Sequence, residues 1–236
     1  MITFVEETGS TNADLAAAVR AGERVNEGSW LVAERQNAGR GRQGREWFDG
    51  SGNFMGSTVV AIKAGDKPPA TLSFVAALSV FEAASDAVGD GANVQLKWPN
   101  DVMLEGAKLS GILLEMVAEH VVVGIGVNLA QAPDLAERRI VAIADFVKPP
   151  PLRDFADDLA RVFARELQSW RDTSLSDMLE RFLALSIHSQ GAPIRVHDAD
   201  GEFVEGTFAG LEESDGALRL RLADGAERVI RAGDIS

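Results

Sequence analysis

The chain contains no cysteine. That excludes a disulfide framework, a thiolate nucleophile and a cysteine zinc site. Histidine is nearly missing as well, because His120, His188 and His197 are the only imidazoles and are too scattered for a structural zinc site. Positive charge is scarce: 23 Lys and Arg stand against 36 Asp and Glu, for a formal net charge of −13. A general nucleic-acid binder would show the opposite balance, with a basic face that displaces counterions from phosphates. The opening MITFVEETGS has no basic region or secretory apolar core, and no apolar run reads as long enough to span a bilayer. The expectation is a soluble cytoplasmic protein. At 236 residues the chain suits a large domain followed by a small one.

Against this background GRGRQGREW, residues 39 to 47, stands out. Gly39, Gly41 and Gly44 lack the Cβ that would hold a backbone away from a ligand, and they make the stretch a loop. Arg40, Arg42 and Arg45 repel one another unless an anion lies between them, and their planar forks suit phosphate or carboxylate oxygens. Trp47 closes the run with a flat face for a purine or for a core. Three readings are open from these residues alone: an anion-binding loop, a solvated basic loop, and an arginine–glycine segment that binds nucleic acid. The acidic remainder of the chain makes the arginine cluster a local device.

Periodicity predicts strand 2–6 and then a helix whose start carries Ser10, Thr11 and Asn12. Thr11 with Asp14 resembles a cap, compatible with ligand contact because a helix start points donors forward. Strand 30–35 delivers Gln36 and the loop. This is neither a Walker loop, since no GK[ST] follows, nor a dinucleotide fingerprint, since no helix opens after the last glycine. NFMGSTVVAI returns as a strand. The segment after Pro69 is a long apolar helix that should lie against a sheet. Short connections then predict an antiparallel meander, 94–98, 102–105 and 108–117, followed by VVVGIGVNL. Gly124 and Gly126 inside that last strand indicate close approach by a ligand or by a neighbour. KPPPLRD precedes two helices whose apolar stripes read as core. From about 190 the pattern changes to short strands with AlaAspGly turns, a small barrel resembling an SH3 domain. Its ten acidic and five basic residues from 191 onward make it a poor nucleic-acid module.

Lysine occurs only at 63, 67, 97, 108 and 148. Lys97 and Lys108 lie on the meander in KWPND and KLSGILLE, where either cation could neutralise a carboxylate or phosphate as charge develops. Asp101 could hold magnesium, which needs only one or two protein carboxylates beside phosphate oxygens. Arginines, lysines, one turn carboxylate and an aromatic face, without a thiol or a triad, fit activation of a carboxylic acid by a nucleotide.

SerThrAsn at 10–12, GRGRQGREW at 39–47, KWPND at 97–101, KLSGILLE at 108–115, VGIGVN at 123–128 and a terminal EGTFAGLEESDGALRL with GDIS make the sequence similar to the biotin protein ligases of the type without an N-terminal DNA-binding domain. The resemblance covers nearly the whole chain in the family's order. It implies an α+β fold: a mixed, mainly antiparallel sheet with helices, class II synthetase-like, over 1–188, and an SH3-like barrel over 189–236. It implies ATP and magnesium as cofactors, biotin as substrate, and a biotin carboxyl carrier domain of a carboxylase as partner. Neither nucleic acid nor membrane is implied, and room is left for a homodimer. Carried over by motif, Ser10, Thr11, Asn12, Gln36, Gly39, Arg40, Gly41, Arg42, Lys108, Gly111 and Gly124 surround biotin. Arg42 and Lys108 flank the reacting phosphate. Arg45, Trp47, Lys97, Asn100, Asp101 and Asn128 meet the nucleotide, with Asp101 at the metal. Because the chain begins with the catalytic domain, no repressor role is expected. Residues 53–57 read NFMGS where relatives often carry a bulkier aromatic near Met55, a departure that leaves the shape of the biotin pocket open. The rival from the same fold is a lipoate or octanoate ligase or transferase, which needs an apolar tunnel where the urea of biotin needs donors and acceptors such as Thr11 and Gln36.

Overall fold

A computed structural model describes residues 1–135, 139–198 and 203–235. The AlaAspGly turn at 199–201 and the final serine of GDIS lie outside the described residues. Seven strands, β1 (Ile2–Thr8), β2 (Trp30–Gln36), β3 (Phe54–Ala61), β4 (Val94–Lys97), β5 (Asp101–Leu104), β6 (Ala107–Val117) and β7 (His120–Val127), form one sheet in the order β1-β2-β3-β7-β6-β5-β4. Only β1 and β2 run parallel, so the sheet is mixed and mainly antiparallel. The meander strands fall within one residue of the expected spans, because tight turns are local signals.

Helix α1 (Thr11–Arg20) covers one end of a sheet face, where Ala16 packs with Val59, Val117 and Val122. Its cap differs from the expected Thr11 and Asp14. Ser10, in extended conformation, accepts from the Ala13 amide at 3.4 Å, because a cap must lie outside helical φ and ψ and Thr11 is already inside. Asp14 instead accepts from the Thr8 hydroxyl. Helices α2 (Leu72–Val88), α3 (Leu152–Asp172) and α4 (Leu175–Ala184) cover the other face. Here Phe54, Phe155, Phe163, Trp170 and Phe182 are buried, and Trp30 meets Phe163 edge to face at 5.4 Å. The expectation that no apolar run reaches bilayer-spanning length needs correction: Pro69–Gly91 is long and apolar enough, and most of it is buried against sheet and α3.

The C-terminal segment adds β8 (Pro193–Asp198), β9 (Phe203–Leu211), β10 (Leu218–Arg221), β11 (Glu227–Ile230) and β12 (Gly233–Ile235), in the order β11-β10-β9-β8-β12. The expected barrel is not closed, since no ladder joins β11 to β12 among the described residues. The segment before it protects the edge of the large sheet: the Leu96 amide donates to Leu185 and the Ile187 amide to Leu96, at 2.8 and 2.9 Å. Gly216, at φ +71°, lets the β9–β10 loop press on α2, where an added Cβ would come within 2.3 Å of the Phe74 ring. Trp98 Nε1 donates to the Gly216 carbonyl at 3.1 Å. One apolar core therefore runs from α2 into the C-terminal strands.

Candidate active site

Cross-strand register builds the floor of the site from small residues. Met55, Gly126, Gly111 and Asp101 form one row across β3, β7, β6 and β5, and Ser57, Gly124 and Leu113 form the next. Missing side chains in the two rows leave a cleft of about 1470 Å³ beyond the end of α1. Ser10, Thr11 and Asn12 line it at the helix start, and Gln36 lines it at the end of β2. Gln36 Oε1 accepts from the Thr11 amide at 2.7 Å, and the Thr11 and Ser57 hydroxyls share a bond of 2.8 Å. Asn12 is 6% exposed, yet its amide nitrogen and oxygen are buried without a hydrogen-bond partner. Its oxygen lies 2.6 Å from where a Cβ on Gly124 would stand, so a neighbour is one cause of that glycine. Met55 is buried and is not among the residues lining the cleft.

The glycine and arginine loop folds over this floor as a tight reversal. The backbones of Arg40 and Glu46 pair antiparallel, the Gly41 amide donates to the Arg45 carbonyl at 2.7 Å, and Gln43 and Gly44 take left-handed conformations. Gly39 lies under Trp47, whose carbonyl oxygen would be 3.2 Å from an added Cβ. The Trp47 ring lies on the floor: a Cβ on Gly126 would fall 2.2 Å from it and one on Gly111 2.9 Å. Its Nε1 is buried without a partner. Arg42 Nη1 donates to Asn100 Oδ1 at 2.9 Å and to the Gly233 carbonyl and Asp234 Oδ1 at 3.3 Å. Arg45 pairs with the other Asp234 oxygen at 2.7 Å. The anion between Arg42 and Arg45 is thus a carboxylate on β12.

The β4–β6 meander supplies the opposite wall. Asn100 Nδ2 donates to the Ile112 carbonyl at 2.7 Å, which aims its oxygen at Arg42. Lys108 Nζ meets Asp101 Oδ1 at 2.6 Å, both side chains being about one-fifth exposed. Asn128 directly follows β7, with its Nδ2 donating to the Val141 carbonyl at 3.2 Å and its buried Oδ1 without a hydrogen-bond partner. Of the residues that the family motifs assigned to biotin, nucleotide or metal, Lys97 alone does not line the cleft. Burial and the Lys97 charge push His188 down to about 4. No cluster of three His, Asp or Glu that could cage a metal occurs among the described residues. A magnesium ion carried by phosphates, which needs only one or two protein carboxylates, would find Asp101 among the carboxylates of the lining. Sequence reasoning missed Ser57 and Asp234, which no short-range spacing connects to Thr11 or to the loop.

The model of the biotin/lipoate A/B protein ligase family matches residues 8–128, and that of the biotin protein ligase C terminal domain matches 191–236. The biotin–[acetyl-CoA-carboxylase] ligase of Paracoccus denitrificans is 38% identical over 249 residues, covering 98% of each chain. The enzyme of that name from Mycobacterium tuberculosis is 34% identical, over 99% of this chain and 88% of its own. In fold, the biotin protein ligase from Aquifex aeolicus in complex with biotin and ATP superposes with a TM-score of 0.84 at 25% identity, over 100% of this chain and 97% of that one. The chain belongs to the biotin protein ligases of the biotin/lipoate A/B protein ligase family.

Proposed function

We propose that this chain is a biotin–[acetyl-CoA-carboxylase] ligase, which joins biotin through biotinyl-5′-AMP to one lysine of a biotin carboxyl carrier domain. The observation that carries the reading is the cleft, where an unpartnered Asn12, a glycine floor, two loop arginines and the Asp101–Lys108 pair face one space. A bicyclic urea needs buried donors and acceptors, and Asn12, Thr11 and Gln36 offer them. In the apolar tunnel of a lipoate or octanoate ligase, a bare amide would cost about 1–3 kcal/mol, which favours biotin.

In the first half-reaction a carboxylate oxygen of biotin attacks the α-phosphorus of ATP, and pyrophosphate leaves with the electron pair of the broken P–O bond. Lys108 neutralises the carboxylate and, with Arg42, the charge that grows on the phosphate. Arg42 must first exchange Asp234 for phosphate oxygens, which accept from the same guanidinium fork. Ser10, Gly39, Arg40, Gly41, Gly111 and Gly124 are assigned to the biotin side. Arg45, Trp47, Lys97 and Asn128 are assigned to the nucleotide, and Asn100 and Asp101 to the magnesium and phosphate region. Bound magnesium would supply neutralisation of phosphate charge. In the second half-reaction the carrier lysine attacks the acyl carbon and AMP leaves.

The remaining assignments follow from the same reading. Residues 1–188 form the catalytic domain, related to class II synthetases, and 189–236 an SH3-like barrel open between β11 and β12. The chain works in the cytoplasm, on a carrier domain and without nucleic acid or membrane, and leaves room for a homodimer. Incubation with biotin, ATP and the carrier domain of an acetyl-CoA carboxylase should add one biotin to one carrier lysine, read by mass spectrometry. A carrier left unmodified, or modified only when lipoate replaces biotin, contradicts the reading.

A further inference from the structure

Asn53, the residue before β3, is fully buried and does not line the cleft. Its side chain is used on the backbone of a segment 77 and 78 positions away. Oδ1 accepts from the Ala130 and Gln131 amides at 2.9 and 3.0 Å, and Nδ2 donates to the Gln131 carbonyl at 2.8 Å. Both lone pairs of the oxygen are thereby occupied. The turn that carries Asn53 is shaped for this contact. Its own amide donates to the Gly50 carbonyl at 3.0 Å, a Cβ on Gly50 would stand 2.3 Å from Nδ2, and one on Gly52, at φ +83°, 3.0 Å from Ala130.

The two segments so joined are the continuations of two walls of the cleft. Residues 48–53 follow Trp47, and Asp49 fastens their near end: its carboxylate accepts from the Gln36 amide at 2.9 Å and from Arg35 Nε at 2.7 Å. Residues 129–131 follow Asn128 at the end of β7. Each wall ends in a buried polar atom without a partner, a donor at Trp47 Nε1 and an acceptor at Asn128 Oδ1. A ligand that pairs with both must match their separation, because a buried group left unpaired weakens binding. That separation depends on how the turn after Trp47 is tied to the turn after Asn128, and the tie is Asn53.

We infer that Asn53 is a positioning residue for the nucleotide half of the cleft: it sets the spacing of Trp47 and Asn128, and through it the affinity for ATP, without touching the nucleotide. The inference rests on the reading of the cleft as the adenylation site, with Trp47 and Asn128 on the nucleotide side. The biotin half is held by a different set of bonds, from the Thr11 amide to Gln36 and between the Thr11 and Ser57 hydroxyls. Loss of Asn53 therefore acts on one substrate and spares the other. A residue that only supported the fold would weaken both together.

The test is biotin-dependent pyrophosphate release by the full chain, with KM measured separately for ATP and for biotin. Asn53→Ala removes all three bonds and should raise the KM for ATP by about tenfold or more, with the KM for biotin within about twofold of wild type. Asn53→Asp keeps an acceptor for the two amides but sets an oxygen against the Gln131 carbonyl, so its KM for ATP should rise by an intermediate factor, roughly three- to fivefold. Circular dichroism checks that each variant is folded, and if Asn53→Ala is not, the split in Asn53→Asp decides. An unchanged KM for ATP in a folded variant overturns the inference. Equal rises in both KM values also overturn it, by reducing Asn53 to general support of the fold. A wild-type chain that releases no pyrophosphate with biotin instead removes the underlying reading.

Discussion

Lys108 and Asp101 hold each other at 2.6 Å on a wall that stays partly open to water. Replacing Lys108 by Ala removes, on the proposed mechanism, a cation that neutralises the reacting phosphate, from a position outside the apolar core. Charge-assisted contacts contribute roughly 1.5 to 3 kcal/mol, so biotin-dependent pyrophosphate release should fall on the order of 10- to 100-fold or more. The thermal midpoint should stay near wild type. Wild-type release by Lys108→Ala would remove this lysine from the catalytic set. Gly126→Ala tests the floor: its Cβ would fall 2.2 Å from the Trp47 ring, so the indole must move. The expected result is a raised KM for ATP with little change in biotin affinity, whereas an unchanged KM for ATP places Trp47 outside the nucleotide site. Residues grouped in a short window, such as Arg40, Arg42 and Arg45 or Asp101 and Lys108, could be picked out before any fold was known, because charge beside glycine or a tight turn is a local signal. Asp234 could not, because 192 positions separate it from Arg42 and one aspartate in GDIS resembles any surface acid.

At the scale of elements, the loop over 39–47 is tied to β12 by one carboxylate, that of Asp234. Partly exposed ion pairs of this kind are worth about 0–1 kcal/mol each, weak enough for an anionic ligand to displace. Biotin and ATP together should therefore protect the loop from trypsin at Arg40 and Arg42. Asp234→Asn should raise cleavage there by a few-fold, roughly, in the empty protein, while protection by the two ligands persists. Equal cleavage of variant and wild type without ligands would show that Asp234 does not hold the loop. The strands of the meander were readable because their turns are short. Three-residue β12 was not, since Gly233–Ile235 is too short to show alternation and is a strand only because β8 offers it a partner. Nor was the choice of Ser10 over Thr11 as cap, which depends on where helical φ and ψ begin.

For the whole molecule, acid sensitivity should be centred on the junction of the two modules. His188 lies between α4 and β8 with its ring 5.8 Å from that of Phe208, and burial, helped by the Lys97 charge, pushes it down to about 4. The unfolded chain binds the proton near pH 6.5, so stability should be full above that value and decline as pH falls toward about 4. Glu27, held low by Arg171, Asp49, held low by Arg35, and Glu82, held low by Arg165, lose their contributions on further acidification, as pH falls through their lowered values. Thermal midpoints of His188→Gln should decline less between pH 6.5 and 4 than those of wild type. An identical slope would assign the loss to other groups. The order of a large and a small module followed from the change in strand spacing near residue 190. The single core that crosses between them did not, because contacts such as Gly216 on Phe74 join residues far apart in the chain.

The central claim is that the polar half of the cleft, with Asn12, Thr11 and Gln36, selects biotin for adenylation. Its most direct test is pyrophosphate release from ATP by the purified chain, measured separately with biotin, lipoate and octanoate. Release with biotin and only background with the two aliphatic acids is the predicted result; release with lipoate or octanoate equal to or above that with biotin contradicts it.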